Sequence, residues 1–317
     1  MERRIILALL SMLLLVACTQ SPAAPAANPA QNEAVPVFAF SEAVVGPNRL
    51  AIGLIRDGSP VNDPAAVVKL KIFDLRTNNP TPLQESQATY YGQGLPAGIW
   101  VAYADFAEAG NVGIEIQATM PGQTTPTVRR YNLEVKAVSD APRVGEPAVI
   151  THTLTAADVP NLNQLTSGAD PDPALYQISF DQALTQGKPI ALLFATPNFC
   201  RTATCGPSVT VLSQLQQKYG DRMIFIHSEV YRYPFGDSAK LQAESIAKAQ
   251  QEGRNPTPEE LSAGLSDAMA AWDLPSEPWL FLIDAKGIIA ARYEGGITSE
   301  ELTPAIEQLL AGQPITG

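Results

Sequence analysis

Apolar positions along this chain follow two different periods. From residue 37 to 138 they alternate with polar ones. Tyr131, Leu133, Val135 and Ala137 face one way and Arg130, Asn132, Glu134 and Lys136 the other, while Ile114, Ile116 and Ala118 oppose Glu115 and Gln117. A period of two marks strands with one buried face. It predicts strands at 37–40, 48–55, 67–75, 87–91, 98–106, 112–119 and 127–137. Turn signals separate them at Asp57-Gly58, Asn78-Asn79-Pro80, Pro96-Ala97-Gly98 and Pro121-Gly122. From Ala174 onward the pattern is α/β. Ile190 to Ala195 is a continuous apolar run, suited to a strand buried on both faces. Gly206 and Pro207 then open a helical pattern of Val209, Leu212, Leu215 and Tyr219. A strand follows at Met223–His227, then helices at 238–253 and 257–272. The second of these opens with the capping box Thr257-Pro258-Glu259-Glu260 and carries Leu261, Leu265, Ala268, Met269 and Trp272 on one face. Leu280–Ile283, a turn at Asp284–Gly287 and a strand at 288–293 form a hairpin. The last helix ends at Leu310 and has two possible starts. A capping box of Thr298 with Glu301 puts Pro304 inside the helix, whereas a start at Thr303-Pro304 avoids an interior proline.

Short strands at the first spacing predict an immunoglobulin-like sandwich over 37–138, with Trp100 in its core and no cysteine pair to staple it. Residues 139–175, with Pro142, Pro147, Pro160, Pro171 and Pro173, read as a linker, and residues 176–313 as a second domain. His152, in the linker's ITHTLT stretch, is expected to be structural or solvated.

The first residues have a separate logic. Arg3 and Arg4 precede an apolar core from Ile5 to Val16. Its length of about 18 Å is too short for a bilayer core of roughly 30 Å. Residues 1–17 therefore read as a signal peptide. Leu15-Val16-Ala17-Cys18 resembles the bacterial lipobox, which implies cleavage before Cys18 and lipidation of that residue. The mature chain would then sit on the extracytoplasmic face of the cell membrane, held by its acyl chains. Residues 18–36, rich in Pro, Ala, Asn and Gln, read as a disordered tether. The formal charge of −11 becomes −12 once Met1–Ala17 is removed, which opposes nucleic-acid binding.

Of three cysteines, Cys18 goes to lipid, leaving Cys200 and Cys205. Outside the cytoplasm a mutual disulfide is the default for such a pair. Both lie between the end of a buried strand and the start of a helix. A helix N-terminus carries roughly half a positive charge and lowers a nearby cysteine pKa. A redox-active pair is expected here.

Over about residues 174–313 the chain resembles the thioredoxin-fold superfamily. The likeness is carried by Lys188–Pro207, by Ser276-Glu277-Pro278-Trp279-Leu280-Phe281-Leu282 and by the IDAKGIIAARYEGGITSEEL hairpin and helix. It implies a cis Pro278 beside the cysteines, with Glu277 and Pro278 offering backbone to a docking partner. It also implies thiol–disulfide exchange with extracytoplasmic protein thiols and disulfides, without cofactor or metal. The spacing departs from the family's C-x-x-C, since four residues separate Cys200 from Cys205. Counting from the strand makes Cys200 the attacking thiol. The string Cys205-Gly206-Pro207-Ser208, with its nearness to the helix start, favours Cys205. Glu277 would oppose a thiolate by like-charge repulsion unless Arg201 offsets it.

Two other readings compete. One is a binding or scaffold lipoprotein with a structural disulfide. The other is copper handling through both cysteines and His227, the one histidine of the second domain, which stands earlier in the chain than the copper proteins' histidine. A peroxidase motif is not met by Pro197. Aromatic residues Tyr231, Tyr233 and Phe235 enter a helical excursion at 237–274, expected to act as a lid or interaction surface.

Overall fold

The structure is a computed structural model and describes residues 33–76, 81–200 and 204–315. The expected signal peptide, Cys18, the tether up to Asn32, the Asn78-Asn79-Pro80 turn and Arg201 lie outside the described residues. The first half holds strands β1 (Val35–Phe38), β2 (Ala43–Val44), β3 (Gly46–Arg56), β4 (Ser59–Pro60) and β5 (Val67–Asp74), then β6 (Gln84–Gln87), β7 (Thr89–Tyr90), β8 (Trp100–Phe106), β9 (Gly110–Thr119) and β10 (Thr127–Lys136). One sheet runs β1-β3-β8-β7, with β4 on β3; the other runs β2-β10-β9-β5-β6. The two enclose one core. Leu50, Ile52, Leu54 and Trp100 from the first meet Val68, Leu70, Ile114 and Ile116 from the second. Trp100 is 1% exposed, and its indole N–H donates to the Ala66 carbonyl at 3.1 Å, so the ring fills the core without stranding its one polar atom.

The second half holds α1 (Phe180–Ala183), β11 (Ile190–Ala195), α2 (Cys205–Tyr219), β12 (Ile224–Glu229), α3 (Phe235–Gln251), α4 (Pro258–Leu261), α5 (Asp267–Trp272), β13 (Trp279–Ile283), β14 (Ile289–Glu294) and α6 (Ser299–Leu310). Its sheet runs β12-β11-β13-β14, with β11 and β12 parallel and the other pairs antiparallel. Strand β11 is buried on both faces, which is why its sequence does not alternate. Ala191, Leu193 and Ala195 pack under α2 and α6. Ile190, Leu192 and Phe194 pack with Phe180, Met269 and Trp272 on the other side.

Several boundaries move for tertiary reasons. The helix expected over 257–272 breaks in two at Gly264. That residue sits at φ +77, and a Cβ there would fall 2.2 Å from the Ser238 carbonyl oxygen. Such a close approach, at a left-handed angle, requires glycine and ends the helix. The last helix takes the earlier start: Thr298 caps it by accepting from Glu301 N–H at 3.3 Å, and Pro304 is tolerated inside. Residues 139–175, expected to be a linker, pack on the second domain. Gly145 N–H donates to Ile289 O (2.8 Å), Ile289 N–H to Glu146 O (2.9 Å) and Ala148 N–H to Gly287 O (2.9 Å), so this stretch borders β14. The ITHTLT stretch forms no strand, and half-exposed His152 lies between Asp158 and Asp181.

The two halves are joined by charge pairs in both directions. Arg49 of β3 makes a bidentate pair with Glu301 of α6 (Nε–Oε1 2.6 Å, Nη2–Oε2 2.9 Å) and donates to the carbonyls of Glu294 (2.5 Å) and Gly296 (3.1 Å). Burial works to lower the Arg49 pKa, but Glu301 outweighs it and the net shift is upward. In the reverse sense Arg292 of β14 reaches Glu42 at 3.2 Å. Gly295 and Gly296 complete the seat, because a Cβ would meet the Ala39 carbonyl oxygen at one and the Ile99 side chain at the other. Arg49→Met should destabilise the chain by about 3–5 kcal/mol, the range for removing one partner of a buried pair. Urea unfolding followed by intrinsic fluorescence measures this, and adding Glu301→Leu should recover most of the loss.

Candidate redox site

Strand β11 ends at Ala195, and the chain turns through Thr196–Phe199 before reaching Cys200. The cysteines are disulfide-bonded, with Cα atoms 5.9 Å apart. Cys205 is not in the preceding loop, as its position before Gly206-Pro207 suggests, but is the first residue of α2. Amides of a helix's first turn have no intrahelical partner, so Pro207 in that turn does not prevent the helix from starting two residues earlier. The freed Cys205 N–H donates to Cys200 Sγ at 3.3 Å. The two residues differ in burial: Cys205 is fully buried among the residues under α2, while Cys200 is partly exposed. The helix-start argument for Cys205 therefore acts on the other sulfur. The N-terminal amide that favours a thiolate points at Cys200.

Glu277–Pro278 is a cis peptide bond. Phe194 pairs with Trp279, which puts Pro278 at the same end of the sheet as the cysteine loop. Pro278 is buried, and its carbonyl accepts from Gly295 N–H at 2.9 Å. That oxygen is thus already hydrogen-bonded within the protein. Ser276 Oγ donates to the Glu294 carboxylate and accepts from Trp279 Nε1–H at 3.0 Å. Burial pushes the Glu294 pKa up.

Residues with no sequence signal brace the loop. Ser167, in the stretch expected to be a linker, donates its N–H to Glu229 Oε2 at 2.7 Å, and its Oγ accepts from Asn198 N–H at 3.1 Å. Glu229 ends β12, and burial raises its pKa. On the opposite flank, Gly296 lies against both Thr204, which precedes α2, and Ile99 of the sandwich. The Gly295-Gly296 pair was visible as the glycine-rich end of the hairpin, but its contact with the first domain was not.

His227 does not join the cysteines as a ligand. It is 1% exposed, with Nδ1 bonded to Tyr176 Oη (2.7 Å) and Nε2 to the Ala195 carbonyl (3.0 Å). Both ring nitrogens are used, and His227 is a core residue. No cluster of three or more His, Cys, Asp or Glu side chains suited to a metal occurs among the described residues.

Residues 176–310 match the family model of the thioredoxin-like domain. The second domain of this chain belongs to the thioredoxin-like superfamily. Among solved structures the chain is similar to a thioredoxin-like superfamily protein, with 14% identity over 51% of this chain and 96% of that one (TM-score 0.32). It is also similar to a thio-disulfide isomerase from Thermus thermophilus, with 19% identity over 55% and 100% (TM-score 0.30). A DUF4426 family protein from Pseudomonas aeruginosa PAO1 shares 14% identity over 30% and 77% (TM-score 0.23). No curated protein matches.

Burial lowers the His227 pKa to about 4 from an ordinary 6.5, against a small raising effect of the Ala195 carbonyl. The unfolded chain therefore binds the extra proton between pH 6.5 and 4, and stability is lost as pH falls through that window. Between pH 7 and pH 4 the chain should lose about 3 kcal/mol that a His227→Asn variant does not. Denaturant unfolding of both proteins at the two pH values checks this.

Proposed function

We propose that this chain is a lipid-anchored, extracytoplasmic thiol–disulfide oxidoreductase in which Cys200 attacks and Cys205 resolves. The observation that carries the reading is the asymmetry of the pair: Cys200 is partly exposed and its Sγ accepts from the Cys205 N–H at a helix N-terminus, while Cys205 is buried. In the reducing direction the Cys200 thiolate attacks a sulfur of the partner's disulfide. A Cys200–partner bond forms, the partner's own S–S bond breaks, and one partner sulfur leaves as thiolate. Cys205 thiolate then attacks Cys200 Sγ, releasing the second partner thiolate and restoring the internal disulfide. Two electrons pass from the dithiol to the partner. The oxidising direction is the reverse sequence, with a partner dithiol as reductant.

Lipidation at Cys18 rests on the Leu15–Cys18 string alone. The immunoglobulin-like reading of the first domain is supported by strand order. One sheet, β1-β3-β8-β7, has the A-B-E-D arrangement; the other carries the G-F-C arrangement as β10-β9-β5, with β2 parallel to β10 at its edge.

The redox reading is tested with the purified chain and two variants. Cys205→Ser should accumulate a mixed disulfide at Cys200 that mass spectrometry detects, and Cys200→Ser should trap none. Both variants should lose insulin reduction by at least a hundredfold. A wild-type disulfide inert to dithiothreitol and insulin would leave a structural bridge as the better reading. For the anchor, Cys18→Ser should remove acyl label and release the protein from the membrane fraction.

A further inference from the structure

The buried stripe of α2 runs through Cys205, Ser208, Leu212, Leu215 and Tyr219, at three- and four-residue spacing. One member is out of character. Ser208 is 0% exposed, and its hydroxyl has no hydrogen-bond partner among the described residues. A hydroxyl inside a helix has a ready outlet in the carbonyl four residues back. Thr210 of the same helix takes it, donating Oγ1–H to the Gly206 carbonyl at 3.3 Å. Ser208 does not, although the Thr204 carbonyl already accepts from its backbone N–H at 2.9 Å. An unpaired buried hydroxyl is costly, and alanine would suit both the helix and the core better.

The residue one turn away supplies a reason. Side chains three apart on a helix are neighbours, with Cβ atoms about 5–6 Å apart, and they lean toward the helix N-terminus. Ser208 thus leans onto the turn that carries Cys205. In the disulfide, the Cys205 sulfur is bonded to Cys200 and is an uncharged, weak acceptor. Once that bond opens, it stands as thiol or thiolate in the apolar cluster that includes Leu193, Ala195 and Leu212, where burial opposes the charged form. The amide at the helix start does not serve it, because the Cys205 N–H is given to Cys200 Sγ.

We infer that Ser208 is a positioning residue for the resolving step: its hydroxyl is unpaired in the disulfide form and donates to the Cys205 sulfur when the pair is reduced. The inference rests on the oxidoreductase reading and adds a residue to it. During resolution the Cys205 thiolate, held by the Ser208 hydroxyl, attacks Cys200 Sγ of the mixed disulfide. The Cys205–Cys200 bond forms, the Cys200–partner bond breaks, and the partner sulfur leaves as thiolate with the electron pair. The Ser208 proton stays on its oxygen throughout. Its hydrogen bond is made in the dithiol form and lost in the disulfide form, so the hydroxyl shifts the equilibrium toward the dithiol.

The test equilibrates the full-length chain with mixtures of reduced and oxidised dithiothreitol at fixed pH. Alkylation and mass spectrometry then quantify the Cys200–Cys205 disulfide. Ser208→Ala should shift the equilibrium constant toward the disulfide at least fivefold. In urea the oxidised Ser208→Ala chain should unfold at the same concentration as wild type or a higher one, because it loses only an unpaired hydroxyl. The reduced variant should unfold at a lower concentration than the reduced wild type. Ser208→Thr and Ser208→Val, nearly equal in volume, separate the hydroxyl from packing: Thr should keep the wild-type constant and Val should move with Ala. An unchanged constant in Ser208→Ala, or an equal shift in the Thr and Val variants, would overturn the inference and leave the redox function standing. A wild-type disulfide that dithiothreitol does not open defeats the redox reading and, with it, this role for Ser208.

Discussion

Two charge pairs crossing in opposite directions hold this molecule in one piece. Arg49 of the sandwich enters the thioredoxin-like domain to meet Glu301, and Arg292 of that domain reaches Glu42 of the sandwich. Side-chain exposures of 7% and 2% for the first pair put it beyond the reach of solvent screening. A buried pair of this kind adds little net stability compared with an apolar contact, because both charges had to leave water. What it supplies is specificity. Only one docking of the two domains satisfies Arg49 on a carboxylate and two backbone carbonyls at once, and any sliding would strand a buried charge.

That constraint passes directly to the chemistry. The carbonyls Arg49 holds belong to Glu294 and Gly296, on either side of Gly295, whose N–H bonds the Pro278 carbonyl. One guanidinium thus fixes the end of β14, the loop after it and, through Gly295, the cis-proline segment. The same loop lies against Thr204, immediately before Cys205. The sandwich therefore supports the loop that lies against the start of α2. A second domain cut away from it would keep its sulfurs but expose Glu301 and lose the support of the Gly295-Gly296 loop.

Legibility from sequence followed the range of the forces involved. Ile190–Ala195 is readable because a strand buried on both faces has to be apolar throughout, and Tyr131–Ala137 because a half-buried strand has to alternate. The cysteine loop and Pro278 were readable because their order relative to those strands is a property of the chain. Arg49 was not: as an outward-facing polar residue on β3 it is indistinguishable from Arg130, which pairs with Glu115 within its own sheet. Gly264 shows the same limit: local propensity carries the helix of 257–272 through it, and the distant Ser238 carbonyl ends it. For the last helix local sequence allowed two starts, and the Thr298 cap with Arg49 on Glu301 goes with the earlier one. The segment 139–175 reads as a linker by its prolines, yet those prolines are compatible with an extended path along β14, where few of its own amides are needed.

The same logic explains why the field at the start of α2 acts on Cys200 and not on Cys205. Nearness to the helix start favours Cys205 by position, but Cys205 turns its side chain inward with the buried face of α2 and its amide outward along the axis. The helix field acts on whatever lies beyond that amide. Here that is the Cys200 sulfur, which accepts from the Cys205 N–H at 3.3 Å. The pair thus leaves one cysteine buried under α2 and the other held on its amide.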